Sequence, residues 1–193
     1  MKQIMDMVLA SGSARRSELL KQLGLRFSVL VTDIDESRTA TETPSEYVTR
    51  MAIEKALAGW EMSRAGLPVL GADTVVLLDD LILGKPANRA EAASMLRMMS
   101  GREHQVLSAV ALALSSGHAE VRLNITRVIF AEMPEDFISR YCAGDEPLDK
   151  AGAYAIQGQP GRYVSRIEGS YSGVMGLPLY ETGCLLELAG VLS

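Results

Sequence analysis

Cysteine, aromatic side chains and long apolar runs are all scarce in this sequence, and each shortage excludes a class of protein. Two cysteines in 193 residues, Cys142 and Cys184, are too few for a disulfide framework, and no CxxC pair indicates a zinc site. Aromatic residues form 5% of the chain and the net charge is −5, so a surface for nucleic-acid polymers is not expected. No run reaches the roughly 18 apolar residues of a membrane helix, and Asp6 falls where a signal peptide would be apolar. We therefore expect a cytoplasmic protein that binds neither a nucleic-acid polymer nor a membrane.

Several catalytic signatures are missing as well. His104 and His118 are the only histidines, one after a predicted helix end and one in a turn, so neither a histidine triad nor a zinc site is indicated. The phosphate-binding pattern GxxxxGK[ST] and the dinucleotide pattern GxGxxG are both absent. In residues 169–173 a tyrosine stands where a nucleophile elbow needs serine. The chemistry that remains is that of carboxylates and a metal ion acting on a phosphorylated ligand.

The residues that are present suit one globular domain over residues 1–193, with two lobes around a cleft as a variant of the same arrangement. Strands and helices alternate early and hairpins follow, which predicts an α/β protein with a mixed central sheet. Periodicity predicts strands at 4–10, 25–31, 68–78, 81–83, 106–114 and 121–130, and helices at 17–23, 44–65, 89–99, 134–142 and 178–188. The second strand should place Phe27, Val29 and Val31 on one face. In the glycine-rich segment 145–178 we expect short strands joined by tight turns.

Residues 9–16 form a strand-to-helix junction with the features of an anion site. Ser11 and Ser13 flank a glycine at the start of the helix, where backbone N–H groups and the helix dipole both favour negative charge. Arg15 and Arg16 follow, and their planar guanidinium groups suit phosphate oxygens. The residues alone leave two interpretations open: a phosphate-binding corner, or an ordinary N-cap by Ser13 followed by two solvated arginines.

Two charged residues stand where apolar residues are expected. Lys55 lies in the middle of the apolar stripe of the helix 44–65, whose members are Val48, Met51, Ala52, Ala56 and Gly59. It can extend along its own stem to solvent, or point at an anionic ligand. Asp73 lies in the near-continuous apolar run 69–78, where a carboxylate must be paired, bind a metal or line a cleft. The alternative is a structural aspartate that accepts backbone hydrogen bonds. Thr74 beside it should face the opposite side, unless the strand bulges or ends there.

Other charged residues offer weaker signals. Asp33, Asp35 and Glu36 lie in the polar stretch 32–43 and are candidate oxygen ligands for Mg²⁺ or Mn²⁺, or simply a solvated acidic loop. Lys85, which precedes a proline, and Lys150 are candidate phosphate contacts or ordinary surface lysines.

Six collinear motifs together resemble the Maf family of nucleotide pyrophosphatases, and they span nearly the whole chain. The motifs are Leu9-Ala10-Ser11-Gly12-Ser13-Ala14-Arg15-Arg16, Glu54-Lys55-Ala56, Gly71-Ala72-Asp73-Thr74-Val75, Lys85-Pro86, the run from Asp149 to Gly158, and Gly176-Leu177-Pro178. The resemblance implies a fold similar to that of the inosine triphosphate pyrophosphatases: a long mixed sheet, flanking helices and a cleft between two lobes. It also implies hydrolysis of a nucleoside triphosphate to the monophosphate and pyrophosphate with a divalent cation, Mg²⁺ or Mn²⁺.

The resemblance also implies residue roles. Gly-Ala-Asp-Thr and Ile-Gln-Gly resemble the branch that acts on dTTP and UTP, with Asp73 as the catalytic residue and Arg15, Thr74 and Gln157 setting substrate choice. Glu36 is the expected second metal carboxylate beside Asp73. Binding of the phosphates falls to Ser11, Ser13, Arg16, Lys55 and Lys85. Arg15 would discriminate among nucleotides, whereas Arg16 would act on all of them alike.

Two positions depart from the family pattern. Ala14 stands where a proline usually begins the first helix, and Ala155 stands where glycine is common before Ile-Gln-Gly. The first change removes no ligand from the anion corner, whereas the second adds a methyl group near the expected base pocket.

Two alternative functions stay open: a pyrophosphatase for 7-methyl-GTP or another purine nucleotide, and a nucleotide-binding regulator of septum formation with little turnover. The sequence is compatible with a homodimer and does not fix the oligomeric state.

Overall fold

A mixed β-sheet with flanking helices forms the framework of the protein, seen in a computed structural model that describes residues 5–64 and 66–192. In this part of the chain the sheet has seven strands in the order β2-β1-β3-β5-β6-β7, and β4 pairs with β3. The strands are β1 Met7–Ala10, β2 Phe27–Val29, β3 Val69–Leu78, β4 Leu81–Leu83, β5 Glu103–Ser115, β6 His118–Phe130 and β7 Val164–Glu168. β1 pairs in parallel with β2 and β3, whereas β3–β4 and β6–β7 are antiparallel. The predicted mixed α/β fold is confirmed.

The described helices are α1 Ala14–Lys21, α2 Pro44–Ser63, α3 Arg89–Met99, α4 Glu135–Cys142, α5 Tyr171–Val174 and α6 Leu179–Leu188. Several of them follow a residue whose side chain caps the first turn. Thr43 and Glu46 form a reciprocal capping box at α2, and the Asn88 side chain accepts the Glu91 N–H at α3. Ile4 and Ala65, the predicted first residue of β1 and last residue of α2, lie outside the described residues. None of the described helices is long and apolar enough to cross a membrane.

One sequence-based prediction of strands is wrong, and another strand is shorter than predicted. In segment 145–178 the structure has three short 3₁₀ turns, Glu146–Asp149, Ala151–Ala153 and Gln159–Tyr163, and only then β7 and α5. Pro147 and Pro160 lie at the first or second position of two of these turns, where proline's fixed φ fits and its missing N–H is not needed for a strand ladder. β2 is shorter than predicted, and Val29 and Val31 are 52% and 64% exposed. Among the described residues, β2 is an edge strand that pairs with β1.

Helix α2 approaches the sheet closely through two glycines. A Cβ atom on Gly71 of β3 would lie 2.4 Å from the Ala52 carbonyl oxygen and 2.5 Å from the Ala56 nitrogen. A Cβ atom on Gly59 of α2 would lie 2.8 Å from the side chain of Val69. Only glycine therefore allows this separation between the two backbones. Because side chains alternate along a strand, the residue two positions after Gly71 also faces α2.

The described chain divides into two compact units. The first runs to Asp73 and includes Ser108–Asn124 and the chain from Gly176 onward, whereas the second comprises Thr74–Leu107 and Ile125–Met175. The core of the first unit includes Leu9, Leu20, Met51 and Leu70. The core of the second is built around the residues Val76, Leu96, Phe130, Phe137, Tyr154 and Ile156. The single domain over residues 1–193 stays a prediction.

His104, in the core of the second unit, should make stability depend on pH. It is 2% exposed, its Nε2 lies 2.7 Å from the Tyr154 hydroxyl, and burial lowers its pKa from 6.5 to about 4. Between pH 4 and 6.5, His104 therefore binds a proton more readily in the unfolded chain than in the folded protein. The stability that neutral His104 contributes above pH 6.5 is lost as the pH falls through 4. His104→Gln keeps a polar partner for Tyr154 but removes the titrating group. When the pH is lowered from neutral to ~4.5, we expect the unfolding free energy of this variant to fall by roughly 2–3 kcal/mol less than that of the wild type. Urea unfolding at both pH values measures this difference.

The matched control for this prediction is His118→Gln, because His118 is the first residue of β6 and its side chain is 69% exposed. The control should follow the wild-type pH dependence. Equal losses of stability in His104→Gln and the wild type would contradict the assignment.

Candidate active site

The junction between β1 and α1 is built around two serines. Ser13 is the N-cap of α1, and its Oγ accepts the Arg16 N–H at 3.5 Å. The Oγ of the buried Ser11 accepts the Ser13 N–H at 3.2 Å, which folds the loop back on itself. The predicted N-cap is therefore confirmed. It does not exclude an anion site, because one side-chain cap satisfies only one of the N–H groups of the first turn.

Arg16 has a structural role that its sequence position did not reveal. Its Nε donates to the Gly176 carbonyl oxygen at 2.8 Å, and its Nη1 donates to the Ser11 Oγ at 3.2 Å. Burial lowers the pKa of the Arg16 guanidinium, while the nearby charge of Asp73 raises it and that of Arg15 lowers it. Arg16 therefore joins the Ser11–Ser13 corner to the Gly176–Pro178 segment that leads into α6. Its guanidinium also interacts electrostatically with Asp73. The solvated-arginine interpretation is wrong for this residue.

A buried ion pair stands beside the corner. The Lys55 Nζ donates to the Asp73 Oδ1 at 2.7 Å, and both residues are 8% exposed. The same Nζ lies 2.9 Å from the Glu36 Oε1, whose side chain is 56% exposed. Lys55 thus neither extends to solvent nor stands free to meet an anion, because one ammonium group serves two carboxylates. Asp73 is paired, as a buried carboxylate requires.

The position of this ion pair follows from the strand order. β1 ends at Ala10, which pairs with Gly71, so β3 continues past its parallel neighbour and Asp73 lies just beyond the last pair. The Ser11–Ser13 loop leaves the same end of β1. Asp73 also faces α2, on which Lys55 lies one residue before the Ala56 that meets Gly71. Ligands of open α/β sheets bind at the carboxyl ends of parallel strands, which is where these groups lie.

The donor set fits a divalent cation that also binds a substrate phosphate. One oxygen of Asp73 and one of Glu36 each lie within 3 Å of the same lysine nitrogen, so the two carboxylates converge. Among the described residues, no group of three or more His, Cys, Asp or Glu side chains could hold a metal by itself. Mg²⁺ is commonly bound by one or two carboxylates, with water and substrate phosphates completing the shell. Asp33 and Asp35 are exposed, and the Asp35 Oδ1 instead accepts the Ser37 N–H at 2.9 Å.

The remaining predicted residues belong to the second unit. Thr74 is half-buried and, because β3 runs unbroken through Val69–Leu78, it faces away from the Asp73 side. Val76 shares the Thr74 face, and a Cβ on Gly152 would lie 3.0 Å from its side chain. The Gly152 N–H donates to the Gly84 carbonyl at 3.1 Å, so the exposed Lys85 lies next to the Gly152 turn.

Gln157 and Lys150 have opposite surroundings in this second unit. Gln157 is exposed. Lys150 is 9% exposed, and its Nζ donates to the Glu146 carbonyl at 2.6 Å and to the Asp149 carboxylate at 2.5 Å. These bonds fix the Glu146–Asp149 turn. The interpretation of Lys150 as an ordinary surface lysine is therefore wrong.

A family model described as Maf-like protein matches residues 6–189. The chain belongs to the Maf family. A protein of Escherichia coli (strain K12) named dTTP/UTP pyrophosphatase is 52% identical over 182 residues, which cover 94% of this chain and 92% of the relative. A protein of the same name from Salmonella typhimurium is 52% identical over 179 residues, or 93% of this chain and 90% of the relative.

A solved structure supports the fold. The Staphylococcus aureus Ham1 protein superposes with a TM-score of 0.50 at 14% identity, covering 95% of this chain and 98% of that chain. At this identity the likeness concerns the fold alone.

Two residues that bind the loop carrying Glu36 were not predicted as site residues of this Maf chain. Tyr47 donates its hydroxyl to the Glu36 carbonyl at 2.8 Å, and Arg50 donates to the Ser37 carbonyl at 3.0 Å. Both lie on α2 beside the apolar stripe, three residues apart, and therefore on one face. The helical spacing of Tyr47 was a usable signal, because Tyr47 and Lys55 are separated by eight residues and share a row of the helix.

Proposed function

We propose that this protein hydrolyses dTTP and UTP to the nucleoside monophosphate and pyrophosphate. The observation that carries the proposal is the buried Asp73 paired with Lys55, which also holds Glu36, beside the serine corner. This arrangement supports phosphoric anhydride chemistry, because it combines a general base with converging oxygen ligands. The choice of dTTP and UTP is supported by the names of the relatives that are 52% identical.

In the proposed reaction a water molecule attacks the α-phosphorus, and the bond from that phosphorus to the oxygen bridging the α- and β-phosphates breaks. Asp73 takes the proton of the attacking water, and pyrophosphate leaves with the bridging oxygen. Asp73 and Glu36 would hold Mg²⁺ or Mn²⁺, which when bound supplies charge neutralisation and lowers the pKa of bound water. Lys55 holds both carboxylates in place through its ammonium group.

The corner and its cations serve the phosphates in this proposal. Ser11 and Ser13 present the start of α1 to an anion, and Arg16 adds positive charge next to them. Lys85 completes the set of phosphate-binding residues, whereas Lys55, which the sequence also placed in that set, is engaged by Asp73 and Glu36. We further assign the choice among nucleotides to Arg15, Thr74 and Gln157, since an amide can both donate to and accept from a pyrimidine edge. A cytoplasmic location and a homodimer stay predictions.

A panel of nucleoside triphosphates tests the proposed function. We expect pyrophosphate release from dTTP and UTP with a kcat/KM at least roughly tenfold above that for 7-methyl-GTP, the size of one lost pocket interaction. Omitting Mg²⁺ and Mn²⁺, or adding EDTA, should abolish the release. The assay resolves pyrophosphate from orthophosphate, and monophosphate from diphosphate.

Three results would contradict the proposal. Release of orthophosphate would place the cleavage at another bond. A preference for 7-methyl-GTP would favour the purine-directed enzyme, and tight nucleotide binding without metal-dependent turnover would favour the septum-formation regulator.

A further inference from the structure

The segment that carries Glu36 has no helix or strand of its own. It connects β2, which ends at Val29, to α2, which begins at Pro44, and most of its residues are exposed. The Glu36 side chain itself is 56% exposed, so burial does not hold it. A loop of this kind samples many conformations unless specific bonds fix it. The position of Glu36 next to Lys55 therefore needs a separate explanation.

Two side chains of α2 bind the main chain of this loop at consecutive residues. The Tyr47 hydroxyl donates to the carbonyl oxygen of Glu36 at 2.8 Å, and the Arg50 Nη2 donates to the carbonyl oxygen of Ser37 at 3.0 Å. The two carbonyls belong to the peptide units on either side of Ser37, so the backbone is fixed immediately after Glu36. The Lys55 Nζ then holds the carboxylate at 2.9 Å. Helix α2 thus fixes this one residue at its main chain and at its side chain.

Arg50 is itself held rigidly. Its guanidinium binds both carboxylate oxygens of Glu42, with the Nη2–Oε2 distance at 2.9 Å, and its Nη1 lies 3.1 Å from the Glu54 Oε1. Hydrogen bonds from Arg50, and from the Thr39 backbone, lower the pKa of Glu42 to about 2. The ion pair of Arg50 with Glu42 therefore stays ionised at any pH at which the enzyme is assayed. A two-pronged contact of this kind fixes direction as well as distance.

Tyr47 is close to the same charges. Its hydroxyl donates to the Glu36 carbonyl at 2.8 Å, on the loop whose Glu36 carboxylate Lys55 holds. Tyr47, Met51 and Lys55 occupy one row of α2 at four-residue spacing. This row therefore carries the Tyr47 and Lys55 contacts to Glu36, and also the lysine that pairs with Asp73.

We propose that Tyr47 and Arg50 are positioning residues that hold the Glu36 carboxylate against Lys55 and Asp73, ready to bind the divalent cation. The proposal rests on the proposed function, in which Glu36 and Asp73 are the metal carboxylates. Residues that orient a ligand typically change metal affinity by 10–100-fold when they are removed. Their loss should therefore weaken metal binding while the chemical step, carried by Asp73, survives at saturating metal.

The test measures Mn²⁺ binding by electron paramagnetic resonance on the full chain with a non-hydrolysable α,β-imido analogue of dTTP. We expect Tyr47→Phe and Arg50→Lys each to weaken Mn²⁺ binding by roughly tenfold, the lower end of the range for such residues. The Mg²⁺ concentration for half-maximal pyrophosphate release should rise in parallel, with kcat restored at saturating Mg²⁺. A purely structural role would lower thermal stability and kcat together without shifting the metal requirement.

Matched controls and a reference variant make the result decisive. Tyr180→Phe removes a hydroxyl from a residue that is 79% exposed, and Arg26→Lys weakens an exposed pair with Asp6; both should bind Mn²⁺ like the wild type. Glu36→Gln sets the scale for complete loss of the carboxylate. Wild-type affinity in Tyr47→Phe and Arg50→Lys beside weak binding in Glu36→Gln would overturn the positioning role. Wild-type affinity in Glu36→Gln, or no binding by the wild type, would overturn it too, whereas the nucleotide panel alone decides the proposed function.

Discussion

Asp73→Asn is expected to lower kcat for pyrophosphate release from dTTP by roughly 10²–10⁴-fold, the range typical of a lost general acid–base residue. The asparagine fills the same space but cannot take a proton from water, and it is a poorer ligand for a hard cation. KM for dTTP should change much less, because Ser11, Ser13 and Arg16, to which we assign phosphate binding, are unchanged. Steady-state kinetics at saturating Mg²⁺ separates the two parameters.

The control for this variant is Asp145→Asn, another acid-to-amide change in an ion pair. Asp145 pairs with Arg89 at 2.8 Å on the surface, and its side chain is 83% exposed. The control should keep wild-type kinetics, since exposed pairs contribute little. Full activity in Asp73→Asn would show that another group accepts the proton and that Asp73 is only the structural partner of Lys55.

Local sequence signals predicted most of the first half of the fold. The capping box at Thr43 and the Asn88 cap set the starts of α2 and α3, because each is formed by residues three apart. The apolar stripe of α2 is buried as predicted, since helical period alone decides which positions share a face. The Asp79–Asp80 turn and the β3–β4 hairpin follow equally from adjacent residues.

The glycine-rich segment was mispredicted because its structure depends on distant partners. The Gly152 N–H binds the Gly84 carbonyl, and a Cβ on Gly158 would lie 2.4 Å from the Glu146 carboxylate. Interleaved aromatic and aliphatic residues are typical of strands and of packed turns alike. Only these contacts, together with the positive φ of Gly152 and Ala153, select the turns.

The site shows the same division between local and distant signals. Asp73 and Lys55 were each identifiable as charges at apolar positions, but their mutual pairing was not, because it needs α2 to approach β3 at Gly71. The Arg16 bond to Gly176 joins residues 160 positions apart. No periodicity in the sequence could reveal that contact.

Lys55→Met should separate the structural role of the ion pair from its chemical role. Methionine fits the apolar stripe of α2, but it leaves the buried Asp73 carboxylate without its cation. Breaking a buried pair in this way costs about 3–5 kcal/mol of unfolding free energy, measurable by urea unfolding at neutral pH. Pyrophosphate release should fall as well, because Glu36 and Asp73 lose the charge that holds them together. Lys21→Met, at an exposed position in the last turn of α1, is the control and should match the wild type.

The double variant Lys55→Met/Asp73→Asn completes the test of this ion pair. Replacing both members of a buried pair leaves no uncompensated charge, so the double variant should recover most of the stability lost in Lys55→Met. It should not recover activity, because no carboxylate then remains at position 73. Stability restored without activity is the result expected of a catalytic carboxylate with a lysine partner. A Lys55→Met variant as stable as the wild type would mean that Asp73 is solvated or protonated. The site could then not be built on a buried ion pair.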